Sequence, residues 1–159
     1  TKSLEIPWRH LRREVQDRGS YLLLLKLDRD VNVDVGSLGR IRFQQGHYVY
    51  AGSAMKNLSA RIDRHKRRRK KLHWHIDYLR AAAKVQSAWV WYGKKRREHR
   101  LAQVLLGFSG HQIPLDGFGA SDCGCKTHLV GFSGPVTLQR FQRALKPGAL
   151  SVRVYLPDL

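Results

Sequence analysis

Long apolar runs are missing from this chain. Its longest block of leucines, residues 22–25, is only strand-length, against the roughly 18–20 residues a membrane span needs. Cysteine is nearly absent too: Cys123 and Cys125 form a lone C-x-C pair, too close for an easy mutual disulfide. That excludes a disulfide scaffold and suits a reducing, cytoplasmic setting. The start, TKSLEIPWRHLRREV, has no apolar h-region, so no signal peptide is expected, although the chain begins at Thr1. The most telling scarcity is of acid. Against 30 Lys+Arg stand 12 Asp+Glu, a net charge of +18. Charge of that size says nothing about fold and much about partners. A domain so basic repels itself unless a polyanion is near, and nucleic acid is the first candidate. An anionic membrane surface is the blander competitor.

What is present suffices for a core. The chain has 159 residues, 42% of them hydrophobic and 26% charged, which fits one folded domain and not a disordered tail. Residues 5–17 read as a short helix, with Pro7 near its start and Arg18-Gly19 closing it. SYLLLLKL is a continuous apolar strand buried on both faces, and VNVDVGSLGRIRF reads as two short alternating strands around a turn. HYVYA, residues 47–51, is another strand, followed by a Gly52-Ser53 pair. A helix then carries Leu58 and Ile62 four residues apart, capped by Asn57 or Ser53. Further helices are expected at 74–83 and 95–106, with a strand at 85–92 between them. The rest is loop-rich to Cys125, then strand HLVGF, a helix behind Pro135 and a last strand SVRVYL. The expected fold class is α+β (mixed α/β), a small mainly antiparallel sheet flanked by helices. One domain covers residues 1–159: an N-terminal helical extension at 1–18, a core at 19–132, and a C-terminal helix and strand at 133–159.

Gly19-Ser20-Tyr21 opens the first long strand and Tyr50-Ala51-Gly52 closes a later one. Leu58, Arg61 and His65 follow on a helix, and KLHWHIDYL, EHRLA and GFGASDCGCKTHL come after. In these motifs, in this order, the chain resembles the GIY-YIG nucleases. It is most similar to their compact basic domains found alone or fused to endonuclease-III-type DNA glycosylases. The likeness covers about residues 19–132. It departs from the family pattern in Ser20 and Ala51, where a bulky aliphatic is usual, and in the hairpin between the two motifs. The resemblance implies a GIY-YIG-like fold and a catalytic cluster of Tyr21, Tyr50, Arg61 and His65. It also implies that Glu98, in EHRLA, holds a divalent cation.

The residue types suit that chemistry. Phosphodiester cleavage needs an aligned nucleophile, neutralised phosphoryl oxygens and help for the leaving oxygen. Two strand-end phenols can orient a water or accept its proton, provided the ordinary tyrosine pKa of about 10 is lowered. Arg61 and His65, at i and i+4, share a helix face, where a guanidinium fork suits phosphate and imidazole shuttles protons. Glu98 supplies the carboxylate that Mg²⁺ or Mn²⁺ prefers, with Asp77 and Asp122 as rivals. Each residue has a plainer alternative. A strand tyrosine packs in a core, and Tyr48 shares a face with Tyr50. For Arg61 and His65 the alternative is a solvated basic face, and for Glu98 an ion pair with its basic neighbours.

Cys123, Cys125 and His128, completed by His75 in HWHID, offer a tetrahedral zinc site, with buried thiols and loop histidines as the alternative. Lys56 and the runs Arg64, Arg67, Arg68, Arg69, Lys70, Lys71 and Lys94, Lys95, Arg96, Arg97 are read as the phosphate-tracking surface. Without an evident base-reading element they imply backbone or shape recognition. The expected function is a metal-dependent endonuclease hydrolysing DNA that is branched, damaged or otherwise structured, with no membrane partner. The alternative is a non-catalytic DNA- or RNA-binding module on the same fold.

Overall fold

The computed structural model describes residues 4–13, 16–67, 70–72, 74–119, 126–145 and 151–157. Strand β1 (Leu4–Pro7) leads into a 3₁₀ turn (Trp8–Arg13) and the long strand β2 (Gly19–Leu27). The hairpin β3 (Val31–Asp34) and β4 (Arg40–Phe43) precedes strand β5 (Gly46–Ala54). Helices α1 (Leu58–Lys66) and α2 (His75–Arg80) follow, then β6 (Lys84–Tyr92) and α3 (Glu98–Leu106). Strand β7 (Leu129–Phe132), helix α4 (Leu138–Ala144) and strand β8 (Arg153–Leu156) complete the order. Among the described residues six strands form one sheet in the order β1-β8-β6-β2-β5-β7, antiparallel except for the β1–β8 pair. The expected α+β class is the observed one.

β2 lies between β5 and β6 and is buried almost throughout, as its unbroken apolar run requires of a strand covered on both faces. Alternation sends its side chains into two separate cores. Tyr21, Leu23, Leu25 and Leu27 join Tyr48, Tyr50 and the α1–α2 side. Leu22 joins Val49, Ala51, Trp89 and Trp91 on the side of α3 and α4.

Among the described residues the expected helix at 5–17 is not there. Leu4–Pro7 is instead an edge strand in parallel register with β8, Leu4 opposite Arg153 and Pro7 opposite Leu156. Pro7, lacking an N–H, ends the strand at the sheet edge, where a missing donor costs least. Helical character is confined to the 3₁₀ turn behind it, where Trp8 and Leu11, three residues apart, bury their side chains together. Residues 4–7 are therefore part of the sheet and not of a helical extension. β8 likewise sits inside the sheet, between β1 and β6.

β5 also runs further than the sequence indicates, through Gly52 and Ser53 to Ala54. Its last residues pair with the first of β2: Gly19 with Ala54, Ser20 with Ser53, Tyr21 with Gly52. Glycine at 52 has a steric cause. A Cβ there would stand 2.6 Å from the Tyr21 ring, which lies across it. At Gly19 a Cβ would meet the Trp91 carbonyl oxygen at 2.3 Å, so both motif glycines let groups approach the strand ends. The start of α1 departs from expectation as well. Asn57 takes a left-handed conformation without a side-chain cap, and Ser53 lies in the strand. Asp17 caps the helix instead, its carboxylate accepting from the Ser59 N–H and hydroxyl, both at 2.7 Å. No helix among the described residues is long and apolar enough to cross a membrane.

Candidate functional site

The β2 start, the β5 end and helices α1 and α3 meet at one end of the sheet, around a cleft of about 400 Å³. Tyr21, Tyr50, Arg61, Glu98, Trp74, His75, His99 and His128 line it. Tyr21 and Tyr50 lie on the same face, because Tyr21 pairs with Gly52 and Tyr50 is two residues back along β5. His65 comes up beneath them from α1. Leu58, Ile62 and His65 form the buried stripe of that helix, so the imidazole is carried into the core with the aliphatic residues. Its Nε2 is 2.7 Å from the Tyr21 hydroxyl, and its ring stands edge-on to Tyr50 at 6.0 Å. His65 Nδ1 has no hydrogen-bond partner among the described residues.

Arg61, one turn earlier, donates from Nη1 to the Ser53 carbonyl at 2.5 Å, and its guanidinium lies over the Trp74 ring at 4.8 Å. Glu98 opens α3 on the other side. Its Oε2 accepts from the Ser53 hydroxyl, and its Oε1 is 3.6 Å from His99 Nε2. Among the described residues Glu98 is the one carboxylate lining the cleft. Its rival Asp77 is fully buried, paired with Arg64 at 2.8 Å and Lys70 at 3.5 Å, and accepts from the Trp74 N–H at the start of α2. Tyr48, the rival of Tyr50, shares its strand face but does not line the cleft, and donates to the Gln44 carbonyl at 2.5 Å. Thus Tyr21, Tyr50, Arg61, His65 and Glu98 are brought together.

Burial governs the site's proton affinities. Desolvation raises the Tyr21 pKa well above the ordinary phenol value, with Tyr50 beside it adding to the rise. Desolvation also pushes Tyr50 up to about 12. The expectation of an acidified phenol is therefore reversed, although nearby Arg61 opposes both shifts. His65 is moved down to about 3, first by burial and then by the Lys70 charge, so it is neutral near pH 7. Burial lowers His75 and His128 as well. The resting pair is a neutral phenol against a neutral imidazole.

A family described as domain of unknown function DUF123 matches residues 20–149. The chain belongs to the DUF123 family. No curated protein and no solved structure matches it. The DUF123 match opens at Ser20 and takes in every residue that lines the cleft, while β1 and β8 lie outside it.

Not every expected contact of this DUF123 domain faces outward. Lys56, Arg67, Lys71, Lys94, Lys95 and Arg96 are exposed, and Arg96 also borders the cleft. Arg64 and Lys70 turn inward to the buried Asp77 instead, and Lys70 Nζ donates to the Arg64 carbonyl at 2.9 Å. Uncompensated, that aspartate would be prohibitive to bury. Arg97 is half-buried and gives its backbone N–H to Ser20 Oγ. Arg68, Arg69, Cys123 and Cys125 lie outside the described residues, as does Asp122. Of the other zinc candidates, His75 accepts the Gly119 N–H on Nδ1 at 2.9 Å, and His128 stacks edge-on against His99 at 5.3 Å. Among the described residues no group of three or more His, Cys, Asp or Glu side chains is arranged to hold a metal ion. Sequence reasoning missed Trp74, Ser20, Ser53 and His99. The one available signal was the lone tryptophan set in a basic stretch.

Proposed function

We propose that this domain is a metal-dependent GIY-YIG-type nuclease that hydrolyses phosphodiester bonds in DNA, recognised by backbone or shape. The observation that carries the reading is that Tyr21, Tyr50, Arg61 and Glu98 line one cleft, with His65 bonded to Tyr21 beneath them and exposed Arg96 at its border. A single hydrogen-bonded carboxylate fits a hard cation, because Mg²⁺ or Mn²⁺ is held by one or two carboxylates with waters and substrate phosphates. Glu98 would hold it, and when bound the ion would neutralise phosphoryl charge and acidify a water. Arg61, steadied by Trp74 and the Ser53 carbonyl, would bind the phosphate next to the scissile bond. With Tyr21 donating to neutral His65, the Tyr21 oxygen is left as an acceptor that orients the attacking water. His65 Nε2 would hold the Tyr21 hydroxyl proton and so keep the oxygen's lone pairs turned to that water. Tyr50 would position the neighbouring oxygen as a neutral donor. The setting proposed is cytoplasmic.

Incubating the protein with supercoiled, nicked and forked DNA, and with structured RNA, in Mg²⁺ or Mn²⁺ tests this. Cleavage of DNA that is lost in Glu98→Ala and Arg61→Ala is expected. No cleavage of any substrate, or undiminished cleavage by those variants, overturns it. The raised phenol pKa values favour a second reading, a non-catalytic DNA- or RNA-binding module. That reading requires salt-sensitive binding with no strand scission.

A further inference from the structure

Ser20 and Ser53 face each other across β2 and β5, both buried, on a side of the sheet otherwise made of Leu22, Ala51 and Trp91. A hydroxyl placed in an apolar face is unfavourable unless it is bonded. Here both are, and their donor roles are forced. The Glu98 carboxylate can only accept, so Ser53 commits its one proton to Oε2. The Arg97 backbone N–H donates to Ser20 Oγ at 2.7 Å. The 2.6 Å contact between the two hydroxyls therefore runs with Ser20 donating to Ser53.

We infer that Ser20 and Ser53 are positioning residues for Glu98, a one-way hydrogen-bond relay from the Arg97 amide that fixes which carboxylate oxygen faces the sheet. Oε2 is taken by the relay, and Oε1, 3.6 Å from His99 Nε2, is the oxygen outside it. The carbonyl of the same Ser53 accepts from Arg61, so one residue sets Glu98 and Arg61 relative to each other. That matters because α1 and α3 pack on opposite faces of the sheet and share no core. The catalytic consequence rests on the nuclease reading above, whereas the relay itself does not.

The test uses metal-free protein and NMR three-bond couplings that report the Glu98 side-chain rotamers. One rotamer is expected in the wild type and in Ser53→Thr, and averaging over several in Ser53→Ala. Ser20→Ala, whose hydroxyl never touches Glu98, is expected to loosen it to a smaller degree. Mn²⁺ affinity, read by water-proton relaxation, should fall roughly 10–100-fold in Ser53→Ala and recover in Ser53→Thr. Unchanged Glu98 couplings in both alanine variants overturn the inference. If Ser53→Ala does not fold, the wild type decides: a Ser53 hydroxyl proton exchanging as fast as an exposed serine also overturns it. Couplings that respond, in a protein that neither binds Mn²⁺ nor cuts, support the relay and overturn the nuclease reading.

Discussion

The Tyr21 hydroxyl and His65 Nε2 lie 2.7 Å apart, both buried, with the imidazole held neutral. Strand β2 supplies one partner and helix α1 the other, 44 residues later. The pair is a hydrogen-bonded path from the buried imidazole to the phenol oxygen, and Tyr21 lines the cleft.

Removing that oxygen is the sharpest test of the path. Tyr21→Phe keeps the ring over Gly52 and leaves His65 Nε2 without its partner. Stability should drop by about 1–3 kcal/mol, the cost of an unsatisfied buried group. Cleavage should fall roughly 10²-fold, the usual cost of losing a group that orients the nucleophile. Urea denaturation and a single-turnover cleavage assay measure the two effects separately.

Acid should weaken the fold in a defined window. Native His65 titrates near 3, and an unfolded histidine near 6.5, so the unfolded chain binds the proton first as pH falls. The contribution is fully present above pH 6.5 and is lost progressively towards pH 3. By pH 5 this one group should cost about 2 kcal/mol of stability. His75 and His128, also lowered, add in the same direction. Urea unfolding at pH 7 and pH 5 should show the loss in the wild type and a clearly smaller one in His65→Gln.

Exposed cations and cations turned to the interior should respond differently. Replacing Lys94, Lys95 or Arg96 with alanine should lower the slope of log affinity against log salt by about 0.9 per lost phosphate contact on duplex DNA. Lys70→Ala should leave that slope alone, since the ammonium is committed to Asp77. It should instead lower stability by about 1–3 kcal/mol. Fluorescence anisotropy across a salt titration, beside a denaturation curve, separates them.

Gly52 should not tolerate a side chain. In Gly52→Ala the new Cβ would start 2.6 Å from the Tyr21 ring, so the ring must move. Overpacking of this kind costs roughly 1–3 kcal/mol. Because the displaced ring carries the hydroxyl that meets His65, cleavage should fall further than in a Gly134→Ala control, where a Cβ meets nothing within 4 Å. Thermal denaturation and the cleavage assay together report both losses.

Several features were legible locally. β2 shows in its apolar run, the β3–β4 hairpin in its alternation, and α1 in the spacing of Leu58 and Ile62. The family-like order of Tyr21, Tyr50, Arg61, His65 and Glu98 drew attention to the residues that line or underlie the cleft. What stayed hidden depends on partners distant in the chain. Leu4–Pro7 is a strand only because β8 lies beside it, and Ser53 is a strand residue only because Ser20 is opposite. Asp17 caps a helix that begins 41 positions further on, at Leu58.

The sequence alone determined the charge, the α+β class and the kinds of side chain available for chemistry, because periodicity and residue type are local properties. Tertiary structure decided which cations face solvent, which carboxylate stays available and where each proton sits. Those depend on desolvation and on hydrogen-bond partners, and only the folded chain brings partners together and excludes water from between them.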